Sequence, residues 1–215
     1  RRREAETRRL YRLAYYDGLT GLPNRELFRD RLMQSIVRAR RERERIAVLF
    51  LDLDRFKVIN DSLGHSLGAQ LLNTVSDRLT GSVQAEDTVA RLGGDEFTVI
   101  LPALHDPAAA ATVASKIFGA LAAPVVLGGH HLYVSASIGI SVFPEDGEEP
   151  EPLLKHADTA MYRAKEVGGN VYRFYSPEMS ARFRHRLSLE HELRKALRSG
   201  ELFLVFQPQL ILGTG

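Results

Sequence analysis

Two acidic clusters carry the chemistry in this sequence. Gly93-Gly94-Asp95-Glu96-Phe97 sets two carboxylates directly behind two glycines, and upstream Asp52 and Asp54 flank Leu53. Arg91-Leu92 before the glycines and Thr98-Val99-Ile100-Leu101 after Phe97 predict a strand, a Gly-Gly turn and a second strand. Glycine tolerates positive φ and lets a ligand pack on bare backbone, so the acids stand at an open hairpin tip. Asp52 ends the apolar run IAVLFLDL, and a carboxylate at the end of such a strand is costly unless something compensates it. A divalent cation does so best, with Asp95 as second ligand and the Leu53 carbonyl as third. Hard oxygen ligands and the absence of cysteine favour Mg²⁺ or Mn²⁺ over zinc. Asp54 reads differently, as the N-cap of the turn Arg55-Phe56-Lys57.

Phosphates on such a metal need more positive charge. Lys57, just past the aspartates, and Lys165, late on a helix, can each supply a compact cation. Asn60 offers an amide donor and acceptor to a purine edge. His65 follows Gly64 in a turn, where a lone histidine is more often structural or exposed than a ligand contact.

The elements that position these residues follow from periodicity and breakers. Residues 1–15 read as a polar helix with Leu10, Leu13 and Ala14 on one side, which pairs with an upstream helix or a copy of itself. DGLTGLPN is a breaker-rich loop, and residues 25–45 form a helix with Leu27, Phe28, Leu32, Ile36 and Val37 at helical spacing. Residues 46–53 are a buried central strand. Helices are expected over 66–83, 107–121, 151–167 and 177–198. Strands are expected at the hairpin, within 124–142, at 171–175 and at 201–207. With the extra hairpin removed the order is βαββαβ, an α+β, ferredoxin-like arrangement with an antiparallel sheet and helices over one face. That topology sets the end of the first strand beside the tip of the central hairpin.

The 215 residues suffice for one sizeable domain with appendages. Residues 1–45 hold fourteen Arg against seven Asp or Glu, interleaved on helices. This reads as a salt-bridged solvated face; without interleaved aromatics no nucleic-acid partner is expected. Absence of cysteine, of a bilayer-length apolar run and of a signal peptide suits a cytoplasmic location with no membrane segment in this fragment, and leaves membrane anchoring of the full-length protein open. The chain starts within a helix and stops after a strand-like run, so a fragment of a longer protein is expected.

Taken together, LFLDLDRFKVINDSLGHSLG, ARLGGDEF, DGLTGLPNR and ADTAMYRAKEVGGN resemble a GGDEF domain, the diguanylate cyclase family, over roughly residues 17–175. HELRKALRSGELFLVFQPQL resembles the opening of an EAL domain, the cyclic di-GMP phosphodiesterase family. The resemblance implies a linker helix (1–16), a GGDEF domain (17–175) with a cyclase palm fold, an inter-domain helix (176–200) and the first strand of an EAL domain (201–215). It implies condensation of two GTP into cyclic di-GMP with Mg²⁺ or Mn²⁺, across a homodimer, with a downstream EAL domain as partner. Asp52, Leu53 and Asp95 then match metal contacts, and Asp95 and Glu96 the catalytic acids. Asn60, His65, Lys57, Lys165, Phe56 and Gly94 match substrate contacts.

Three departures accompany the match. Ala69 stands where an Asp usually contacts guanine. Gln84 replaces the Arg of an inhibitory Arg-x-x-Asp motif that ends at Asp87. Gly169 stands where an Arg often assists the phosphates. They favour a second reading beside the active cyclase: a GTP-binding module that regulates the downstream phosphodiesterase.

Overall fold

The computed structural model describes residues 2–201 together with 203, 205 and 207. Helix α1 (Arg2–Tyr15) leads into α2 (Arg25–Glu42). Asn24 stops the intervening loop and caps α2, its side chain accepting from the N–H groups of Glu26 and Leu27 at 3.1 Å each. Strand β1 (Arg45–Leu53) is buried from its second residue to its last, as a continuous apolar run requires. Then come α3 (Phe56–Leu63), α4 (His65–Gly81), β2 (Thr88–Gly93), β3 (Glu96–Leu104) and α5 (Ala108–Ala122). After these lie β4 (Val125–Leu127), β5 (His130–Leu132), β6 (Ala136–Phe143), α6 (Pro150–Glu166), β7 (Tyr172–Phe174) and α7 (Pro177–Ser199).

The main sheet runs β2-β3-β1-β6-β7, with β4 and β5 as a separate pair. Its first four strands are antiparallel neighbours in the ferredoxin-like order, as expected. The sheet is nevertheless mixed, because β7 joins β6 in parallel. A parallel neighbour needs a crossover, and α6 supplies it. The expectation of helices on one face is also corrected. Along β1, Ala47, Leu49, Leu51 and Leu53 face one core with Leu71 and Val75 of α4 and Ile117 and Leu121 of α5. Ile46, Val48 and Phe50 face a second core with Phe28, Leu32 and Ile36 of α2 and Leu153 and Met161 of α6. A strand apolar on both sides has to be covered twice, and the amphipathic helices divide between the faces.

Helix α6 lies directly on the sheet at Gly139 of β6. A Cβ there would sit 1.9 Å from the Ala157 carbonyl oxygen and 2.1 Å from the Met161 nitrogen. Small buried residues on the helix, Ala157, Ala160 and Ala164, match that approach.

The sequence also missed α3, whose single buried residue, Phe56, leaves little periodicity to read. The chain divides into two compact units, residues 1–179 and 180–215; the second comprises most of α7 and the C-terminal residues. Of the strand expected at 201–207, residues 202, 204 and 206 lie outside the described residues, and residues 201, 203, 205 and 207 are not in a strand. Among the described residues no helix is long and apolar enough to cross a membrane.

Candidate active site

The edge where β1 ends gathers the acids. Asp52 pairs with Glu96 across β3 and with Ser137 across β6, and the Leu53 N–H donates to the Asp95 carbonyl at 3.4 Å. The expected juxtaposition of Asp52 and Leu53 with Asp95 and Glu96 is therefore present. The turn itself needs its glycines: φ is +146° at Gly93 and +51° at Gly94, and a Cβ at either would meet open space.

One residue missed in the sequence fixes this tip. Arg91 donates to the Gly94 carbonyl from Nε (3.1 Å) and Nη2 (2.7 Å), and from Nη1 to both carboxylate oxygens of Asp17 at 2.8 and 3.0 Å. Asp17, in the loop after α1, also accepts from the N–H and hydroxyl of Thr20. Burial opposes its ionisation, but Thr20 and Arg91 together hold its carboxyl below the usual value. The only sequence signal was an arginine two residues before the glycines.

The Asp52 side chain is 11 % exposed. Lys165, brought over by α6, places Nζ 2.6 Å from Asp52 Oδ1, and this oxygen is buried without a well-aligned hydrogen-bond donor. Burial pushes the carboxyl up to about 6, opposed by Lys165 and reinforced by the negative charges of Asp95 and Glu96. Glu96 is likewise raised, first by burial and next by Asp158 of α6, against the pull of Arg25, whose Nη2 lies 3.9 Å away. Among the described residues no three His, Cys, Asp or Glu converge as a ready metal cage. The donors offered are two carboxylates and a carbonyl. A buried, unaligned carboxylate oxygen beside further acids is the environment that a hard cation relieves, so the donor set fits Mg²⁺ or Mn²⁺.

The reading of Asp54 as an N-cap is corrected. Arg55, at φ +59°, occupies that position with no side-chain cap. Asp54 instead accepts from the hydroxyls of Ser135 and Ser137 at 2.7 Å each and from the Asn170 N–H at 3.0 Å. It ties the end of β1 to β6 and to the loop before β7. Gly169, at φ +75°, lies against this carboxylate, and a Cβ there would be 2.8 Å from Oδ2. A side chain at 169 therefore conflicts with the Asp54 anchor, which gives the glycine departure a local reason.

The remaining candidates lie on α3 and α4. Lys57 and His65 are exposed, and Asn60 is half-buried. The Phe56 ring is buried in the core, which leaves its backbone to meet a ligand. Gln84 and Asp87 lie at the opposite end of β2 from the Gly-Gly turn. There Asp87 closes a turn by accepting from the Gln84 N–H at 2.8 Å. An open groove of about 1320 Å³ beside α1, lined by Tyr11, Tyr16 and Asp17, does not include the acids.

Comparison with known proteins agrees with this geometry. A family model described as "Diguanylate cyclase, GGDEF domain" matches residues 14–171. The chain is 46% identical over 208 residues to the bifunctional diguanylate cyclase/cyclic di-GMP phosphodiesterase MucR of Pseudomonas aeruginosa, covering 97% of this chain and 30% of that protein. It is 42% identical over 206 residues to the cyclic di-GMP phosphodiesterase NbdA of the same organism, covering 96% of this chain and 26% of the relative. The chain thus spans less than a third of the length of these two relatives. Among solved structures, the GGDEF domain of TpbB from P. aeruginosa superposes with a TM-score of 0.77 at 41% identity, covering 79% of this chain and 99% of that one. Two carboxylates beside a bare Gly-Gly turn, on a sheet shared with those structures and within a matched span of residues 14–171, place this chain in the diguanylate cyclase family of GGDEF domains.

Proposed function

We propose that this domain condenses two GTP molecules into cyclic di-GMP and releases two pyrophosphates. The observation that carries the reading is Asp52. It is a buried carboxylate crowded by the charges of Asp95 and Glu96 and countered by Lys165, set across the sheet from the acids of an unobstructed hairpin tip. Asp52, Asp95 and the Leu53 carbonyl would hold Mg²⁺ or Mn²⁺. When bound, such a cation polarises phosphate oxygens and lowers the pKa of a hydroxyl. Asp95 accepts the proton of the attacking 3′-hydroxyl, with Glu96 beside it. Lys165 and Lys57 neutralise triphosphate oxygens, and Gly94 presents backbone without a side chain in the way. Asn60 meets the base and His65 the ribose. One domain holds one GTP, so two copies must face each other for each hydroxyl to reach the other's α-phosphate.

A second reading has its own support. A relative named as a phosphodiesterase matches nearly the whole chain, and Gly169 supplies no cationic side chain where an Arg often assists the phosphates. In that reading the domain binds GTP and tunes a downstream phosphodiesterase. One experiment separates the two. The purified chain is incubated with GTP and Mg²⁺ and the products are resolved by chromatography. Cyclic di-GMP that vanishes in Asp95→Ala supports the cyclase. GTP bound without product supports the regulator, and no GTP binding removes both.

A further inference from the structure

A glycine inside a helix needs a reason, because alanine is favoured there by about 1 kcal/mol. Gly119 of α5 has none in its surroundings: a Cβ there would meet nothing within 4 Å. Gly68, in the first turns of α4, is different. Its backbone does not require glycine, since its φ lies outside the left-handed region, yet it is buried. A Cβ at 68 would fall 1.8 Å from Asn60 Oδ1, 3.0 Å from Asn60 Cγ and 3.4 Å from the Phe56 ring. The Asn60 amide therefore occupies the space that the missing side chain leaves, with the Phe56 ring close by. It has no hydrogen-bond partner among the described residues, so packing against Gly68 orients it. The next residue, Ala69, carries no polar group that could share the task.

From this geometry we infer that Gly68 is a positioning residue for nucleotide recognition, the seat that aims the Asn60 amide at the base. The inference rests on the proposed GTP-binding reading. It makes base selection by this chain depend on the absence of a single methyl group, one residue before the position where an acid is missing.

Gly68→Ala tests it. The added methyl forces the Asn60 amide off α4 while improving helix propensity, so fold and affinity should separate. The thermal midpoint should stay equal or rise. The Kd for GTP should increase tenfold or more, with GTP-over-ATP preference falling and turnover at saturating GTP changing little. In nucleotide-free protein, the Asn60 side-chain amide resonances should shift. Asn60→Ala should lose the same affinity, and Gly68→Ala added to it should cost nothing more. Gly68→Ala that binds GTP within twofold of the unaltered chain overturns this inference alone. Losses that add in the double variant also overturn it, because Gly68 would then act by a route other than Asn60. No GTP binding by the unaltered chain overturns the proposed function together with this inference, and that is seen before any variant is made.

Discussion

Replacing Gly139 with alanine should injure the site through α6, which packs on the same face of the sheet as Asp52. The new Cβ would meet the Ala157 carbonyl oxygen at 1.9 Å and the Met161 nitrogen at 2.1 Å. Both are backbone atoms in the middle of α6, so no rotamer change relieves the clash. To restore an ordinary contact of about 3.4 Å the helix must retreat by about 1.5 Å. Lys165 rides on the same helix, and its 2.6 Å approach to Asp52 would open to about 4 Å. Overpacking of this kind costs about 1–3 kcal/mol, and contact with backbone argues for the upper end. At about 2–4 °C per kcal/mol for a domain of this size, the thermal midpoint should fall by about 6–12 °C. GTP turnover should fall about a hundredfold, the loss associated with a misplacement of about 1 Å. Scanning calorimetry and product chromatography read the two effects. Gly119→Ala is the control, expected to stabilise by about 0.5–1 kcal/mol since nothing lies within 4 Å. A Gly139→Ala protein with an unchanged midpoint, and with Lys165 still on Asp52 in a crystal structure, would show that α6 does not retreat and that the link from β6 to the site is wrong.

Other perturbations act through the same contacts. Arg91→Ala strands the Asp17 carboxylate and frees the Gly94 carbonyl; breaking this partly buried, charge-assisted pair should cost about 1–3 kcal/mol. In a double-mutant cycle with Asp17→Ala the two losses should fall well short of additive, and strict additivity would count against the pairing. Arg91→Lys should not rescue, because one ammonium cannot serve both partners with a planar fork. Asp54→Ala leaves two serine hydroxyls and the Asn170 N–H without their acceptor, at a cost of about 1–3 kcal/mol carried mainly by the buried Ser137 hydroxyl; an unchanged urea midpoint would speak against the anchor. Asp52 sets a pH dependence in cation-free buffer. Its folded pKa, about 6, lies above the unfolded value of 3.8, so its contribution to stability is complete below pH 3.8 and is lost as pH rises through 6. Asp52→Asn should therefore flatten the stability profile between those limits, and a profile identical to that of the unaltered protein would contradict the burial assigned to this carboxylate.

How far the sequence revealed these features depended on how local each one was. The central strand was legible because eight apolar-rich residues in a row leave few alternatives, and the hairpin because two glycines between β-formers dictate a turn. Asp52 and Asp95 could be paired because the ferredoxin-like topology sets the end of the first strand beside the tip of the central hairpin. Asp54 was misjudged because its partners, Ser135, Ser137 and Asn170, are distant in sequence, whereas a cap is a local guess that needs no partner search. The second helical layer was missed for the same reason: an uninterrupted apolar run along β1 shows that both faces are covered but not by which helix. The glycines at 68, 139 and 169 were mute, since what a missing side chain accommodates is decided by another element.

Both neighbours of β1 are paired along its length and both its faces are covered by helices. Amide protons on such a strand exchange with solvent only when the whole domain opens. The carboxylate at its end is thus anchored to the last part of the molecule to melt. Drift of that anchor is not available as a way to adapt to a poorly fitting ligand, and any tolerance must come from the side chains and turns that surround it.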